Sequence, residues 1–410
     1  MVEPMSDSKR SILRRIGPGL ITAAVVLGPG TIVASSRAGA ESGYGLVWLL
    51  VIAVLFMMTF TAMGARLGCA LTVSPLQYIA DRWGRPLAAL TGLSAFLVAS
   101  GFQFGNNIGV SVAMSELIPL PNWCWPIGFT ALSLLFLLSA KELYKLLERT
   151  MMVLVSVMII AFGANLLWTG FSPTELASGL VPKRFEGGEN IIGRAMFATT
   201  FSVVAAFYQA YLVQAKGWKR EDIKTAIGDA WIGIAVLGGI SLIIMIGAAE
   251  GLRGSATEFA NIGELAEQLR GVLGPWATIV FCIGLGAASF SSFIANALIG
   301  GTLLADGLGT DASSSSRATR LCTAGVMLIG CGVAVAVMAV GQGGTQSLLI
   351  AQSSTLIAAP LCALLLFGLS SNRGVMTDLR NSPITMLIGV LGLALIGWLS
   401  IGLSLRLFGS

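Results

Sequence analysis

Residues 19–48 read GLITAAVVLGPGTIVASSRAGAESGYGLVW, and the fold turns on how this stretch is divided. It opens as an apolar helix, stops at Gly28-Pro29-Gly30-Thr31, resumes as a second half-helix and runs into another apolar segment at Trp48. Proline has no N–H and clashes with the preceding turn, and glycine disfavours helix, so Gly-Pro-Gly interrupts the hydrogen-bond ladder. In hydrocarbon the freed backbone groups need partners, so such a break is tolerated only where it is buried in protein or lines a cavity. A break of this kind in a first span points to a transporter's substrate site; a simple proline kink is the plainer alternative.

The rest of the chain supports a membrane reading. Of 410 residues, 55% are hydrophobic and 11% charged, and the mean hydropathy is +0.84. A span needs roughly 20 apolar residues, and such runs fall near 19–40, 45–65, 87–117, 123–140, 150–169, 192–215, 229–249, 275–301, 321–341, 345–369 and 383–407. This is an all-α integral membrane protein of about eleven helices. Residues 1–18 form a short polar segment with Lys9, Arg10, Arg14 and Arg15 just before the first span. Counting Lys and Arg in alternate loops puts the N-terminus in the cytoplasm and the C-terminus outside. Lys141, Lys145 and Arg149 count inside, Lys183, Arg184, Arg253 and Arg406 outside. The six cysteines show no close pair or metal-ligand spacing and read as small packing residues. The net charge of +5 reports topology rather than nucleic-acid binding.

Span six shares an oddity with span one. Residues 195–218, AMFATTFSVVAAFYQAYLVQAKGW, gather Thr199, Thr200, Ser202, Tyr208 and Gln209 at membrane depth. Polar groups there are costly unless they face a partner or a cavity. Irregular helices five spans apart suggest a five-plus-five inverted repeat, 19–169 and 192–369, with a further helix at 383–410. The Gly/Ser-rich 305–318 segment reads as a flexible linker, and the outer loops 170–191 and 251–272 have room for short surface helices.

Residues 27–51, LGPGTIVASSRAGAESGYGLVWLLV, resemble the first-span signature of the Nramp family of metal-ion transporters, roughly L-D-P-G-N followed by A-G-A-x-x-G-Y-x-L-L-W. Ala65-Arg66-Leu67-Gly68, the run Lys145–Gly163 and Leu348–Pro360 (LLIAQSSTLIAAP, against L-x-x-S-Q-x-x-x-S-x-x-x-P) extend the likeness over nearly the whole chain. The resemblance implies a LeuT-like fold with helices 1 and 6 broken, working by alternating access. It also marks departures. The family's metal-binding aspartate falls on Gly28 and its asparagine on Thr31. Its M-P-H motif falls on Ala205-Ala206-Phe207, and the third-span carboxylates linked to proton transfer fall near Gln103 and Asn106. Gln352 keeps the tenth-span glutamine, and a shift of register would bring Gln209 to a site position. The chain contains no histidine.

The substrate site expected from these residues is therefore Gly28, Thr31, Tyr208, Gln209 and Gln352, all neutral. A divalent ion in low dielectric without a counter-charge is disfavoured, so no residue is assigned as a metal ligand, with Thr31 and Gln352 the only candidates. Gln103, Asn106 and Phe207 mark a degenerate proton path. Arg37, roughly 9 Å beyond the break, either contacts an anionic cargo or pairs with Glu41 four residues on. The reading is a secondary transporter of a small polar or anionic solute, not coupled to protons through the family residues. The alternatives are divalent-metal transport (Mg or Mn type) as in the parent family, or a transport-inactive sensor or scaffold. No enzyme fits: there is no phosphate-cradling loop and no histidine for a triad. No cofactor and no nucleic-acid partner are expected, only the lipid bilayer and a small solute or ion. The location expected is a bacterial-type inner membrane; the oligomeric state is open, a monomer being compatible.

Overall fold

The computed structural model describes residues 17–138, 141–182, 189–252 and 262–408, with side chains undescribed at 138, 141–151, 189–190 and 406–408. The N-terminal arginines, Lys141, Lys145, Arg149, Lys183, Arg184, Arg253 and Arg406 therefore lie outside the described side chains.

Among the described residues the chain is helical throughout, with no strand. The first span is a bent pair, α1 (Pro18–Val26) and α2 (Pro29–Ser42), meeting at 62°. Then come α3 (Val47–Ala70), the short α4 (Pro75–Trp83), α5 (Arg85–Leu117), α6 (Cys124–Leu138), α7 (Lys141–Thr169) and the surface helix α8 (Pro173–Gly179). The sixth span is α9 (Glu189–Thr200) and α10 (Val203–Ala215), interrupted at Phe201-Ser202. It is followed by α11 (Ile223–Gly251), the short α12 (Ile262–Ala266), α13 (Ala277–Gly307), α14 (Arg317–Ala339), α15 (Thr345–Ser371) and α16 (Pro383–Phe408). Nine of the described helices, or ten with the bent pair, are long and apolar enough to cross a membrane, and Cys124–Leu137 is a shorter apolar helix. They form two sets of five, each beginning with a broken helix, plus α16.

Small residues decide how closely the helices approach. Gly19 and Gly233 lie backbone to backbone where α1 crosses α11, and Gly39 lies against the Met245 carbonyl where α2 crosses the same helix. On α13, Gly284 and Gly286 leave room for Met158 and Met114. Glycine allows this because it has no Cβ to hold the backbones apart. Leu, Val and Ile side chains of the outer helices, such as Leu167, Ile160 and Leu387, remain exposed, as a lipid-facing surface requires.

The 305–318 segment is more ordered than its composition suggests. Residues 305–307 complete α13, and the Asp311 carboxylate accepts from the amide and hydroxyl of Ser313. Ser316 caps α14 by accepting from the Thr319 amide. Serines that would loosen a linker act here as turn and cap residues. Among the described residues, the 170–191 and 251–272 segments do contain short helices, α8 and α12. All six cysteines are free.

Candidate substrate site

The break in span one is held together by its own side chain. Gly28, extended at φ −104° and ψ −174°, is the N-cap of α2 and donates its N–H to the Val26 carbonyl at 2.8 Å. The Thr31 hydroxyl donates to the same carbonyl at 2.8 Å. Thus Val26, whose carbonyl has lost its helical partner to Gly-Pro-Gly, is satisfied twice. Because the Thr31 proton is committed inward, that oxygen retains lone pairs for an incoming group.

A small cavity lies at this break, lined by Val25, Val26, Gly28, Gly30, Thr31, Phe102, Asn106, Thr199, Ser202, Asn296 and Gln352. Five elements converge on it: the bent pair, the break between α9 and α10, α5, α13 and α15. Every lining side chain is uncharged, and no group of three or more His, Cys, Asp or Glu able to hold a metal occurs among the described residues.

Two buried acceptors around the break have no partner. Gln352 is 1% exposed, its side chain inserted between Gly30 and Gly105, and its Oε1 bonds to nothing. Ser292 Oγ, also 1% exposed, is equally unpaired. A Cβ at position 28 would lie 3.1 Å from that oxygen and 3.8 Å from Asn106 Oδ1. Orphaned buried polar atoms are costly, so a pair of them beside a cavity calls for an explanation. With Thr31, they make the site rich in oxygen acceptors.

The sequence-derived set divides. Gly28, Thr31 and Gln352 meet at the cavity, and Asn106, expected on a proton path, joins them. Gln209 does not: it is fully buried and accepts from the Thr22 hydroxyl at 2.5 Å, below the break. Tyr208 stacks on Tyr211, with ring centroids 5.6 Å apart. Neither side chain lines the cavity. Phe207 is packed in the apolar core, and Gln103 accepts from Asn106 Nδ2 at 3.4 Å. Arg37 donates to Glu41 at 2.6 Å and to Gln346 at 3.1 Å, tying α2 to the start of α15. Its pairing with Glu41 is the structural alternative foreseen from their spacing. Asn296, Thr199, Ser202 and Ser292 were not singled out as site residues. Their only sequence signal is a polar side chain inside an apolar run, which packing serines share.

The family model for natural resistance-associated macrophage protein-like (Nramp) proteins matches residues 19–406. The chain is 25% identical over 386 residues to the divalent metal cation transporter MntH of Mycobacterium tuberculosis (strain CDC 1551 / Oshkosh), covering 91% of this chain and 87% of that protein. It is 26% identical over 407 residues to the MntH of Deinococcus radiodurans, covering 95% and 90%. Its fold is similar to that of a mutant of the Eremococcus coleocola manganese transporter, with a TM-score of 0.77 at 17% identity over 97% of this chain and 87% of that one.

Proposed function

The chain belongs to the Nramp family, and from that premise we propose that it moves a cation across a bacterial inner membrane by alternating access around the break at Gly28–Thr31. The observation carrying this reading is the set of free oxygen acceptors at the break: Thr31 lone pairs, Gln352 Oε1 and Ser292 Oγ. Acceptors attract cations, and the carbonyl end of α1 adds the negative pole of a half-helix beside them. A divalent cation is the cargo class that the relatives' names support.

The site binds such an ion weakly. Neutral oxygens do not replace the hydration of a double charge in low dielectric, and ions of the magnesium type keep several waters when bound. The cargo therefore crosses with part of its shell. Coupling through Gln103, Asn106 and Phe207 is not expected, since none titrates in the physiological range. An anionic cargo is the reading least supported, because Arg37 is occupied by Glu41 and Gln346. A small neutral polar solute remains the second reading, favoured by the wholly uncharged lining.

The test is uptake of manganese, magnesium and calcium into proteoliposomes, with Thr31→Ala and Gln352→Ala as site variants and Arg37→Gln as control. Saturable uptake abolished by the first two and kept by the third supports the reading. No uptake of any of the three ions, with uptake of a neutral polar solute, overturns it.

A further inference from the structure

Asp306 is the only acidic side chain among the described buried residues, at 6% exposed. It ends α13 at the end of the bundle that bears the basic loops, well away from the break. Its Oδ2 accepts from the Tyr211 hydroxyl at 2.5 Å and its Oδ1 from the Ser74 hydroxyl at 2.8 Å. Ser74 is also the N-cap of α4, accepting from the Gln77 amide at 3.2 Å. Arg85 is close but engages the Asp306 backbone carbonyl (3.2 Å) and Gln77 Oε1 (2.7 Å). Three elements thus meet at one carboxylate: α10, the start of α4 and the end of α13.

α10 makes further polar ties. One turn along, Gln214 Nε2 donates to the carbonyls of Leu71 (3.2 Å) and Val73 (2.9 Å). Two residues back, on another face of α10, Gln209 holds Thr22 of α1. α1 and α10 are therefore joined to each other, and α10 to the turn between α3 and α4, by hydrogen bonds added to their apolar packing. Such a seam can part with water taking over each bond, at a net cost of only about 0.5–3 kcal/mol per bond. At the opposite end, Arg37–Gln346 and a bond from Gln268 Nε2 to Ser36 Oγ at 3.1 Å hold α2 in place.

We propose that Asp306, with Tyr211 and Ser74, is the latch of the exit gate on the basic-loop side, and that its release lets α10 swing from α13 and opens the cavity to that side. This rests on the alternating-access reading but not on which ion or solute is carried.

A cysteine placed at Asn296, which lines the cavity, reports opening through its labelling by a membrane-impermeant maleimide. Labelling is measured in vesicles of each orientation and corrected by the parent with its six native cysteines. Tyr211→Phe and Asp306→Asn are each expected to raise labelling from the basic-loop side about tenfold, the population shift that follows from losing a charge-assisted bond. Labelling from the other side should not rise. Unchanged labelling in Tyr211→Phe, which removes one oxygen and should leave the fold intact, overturns the latch. So does an equal rise from both sides in either variant.

Discussion

Thr22 and Gln209, 187 residues apart, share a 2.5 Å hydrogen bond that joins α1, before the first break, to α10, after the second. Gln209 Nε2 has no partner, so the Thr22 hydroxyl is the sole bond of a fully buried amide. Thr22→Val keeps the shape and removes the donor. The unsatisfied carbonyl should cost about 1–3 kcal/mol, read as a lower midpoint of thermal unfolding in detergent; an unchanged midpoint would mean that the bond contributes nothing.

Gly28 has space for a side chain. A Cβ there would be tight only against Ser292 Oγ, at 3.1 Å, and a serine can give by a few tenths of an ångström. Gly28→Asp would bring a carboxylate beside Asn106 and the unpaired Gln352 oxygen. Calorimetry with manganese should then show binding tighter by about tenfold or more, the effect of adding one opposite charge at low dielectric. Equal affinity in the two proteins would mean that the missing charge is not what weakens the site.

Two glycines of neighbouring helices should respond oppositely to one methyl group. A Cβ at Gly39 would collide with the Met245 carbonyl and the Ala249 amide, both backbone. Gly39→Ala should therefore separate α2 from α11 and destabilise by about 1–3 kcal/mol. Gly239, exposed on α11 with nothing within 4 Å of its Cβ position, should tolerate alanine or gain up to about 1 kcal/mol in helix propensity. Paired unfolding curves decide this.

The turn before α14 should be acid-sensitive. Hydrogen bonds from the Ser313 amide and hydroxyl hold the Asp311 carboxyl below its usual range. A depressed folded-state value means that the stabilisation is complete above the unfolded value, about 3.9, and is lost as pH falls through the folded one. Amide exchange at residues 313–319 should accelerate over that acid interval, and Asp311→Asn should abolish the change.

Much of this was legible from local chemistry. Gly-Pro-Gly at 28–30 located the bend because those residues cannot continue a helix, whatever surrounds them. Each long helix followed from its apolar run, since a backbone in lipid must bond within its own segment. Thr31 and Gln352 were traceable by resemblance to a known pattern. Gln209 and Tyr208 were misplaced because an apolar run does not reveal which way a helix faces. At 3.6 residues per turn, neighbouring polar residues point in different directions.

The membrane class, the helices and the break could be read from the chain, because hydropathy and proline geometry are properties of short segments. Only the tertiary structure decided which polar groups meet. It sent Gln209 to Thr22, Arg37 to Gln346 and Asp306 to Tyr211, and it brought Asn296, Ser202 and Thr199 to the cavity while leaving Ser292 and Gln352 without partners. These choices rest on helix rotation and close glycine contacts between distant segments, which depend on the packing of the whole bundle.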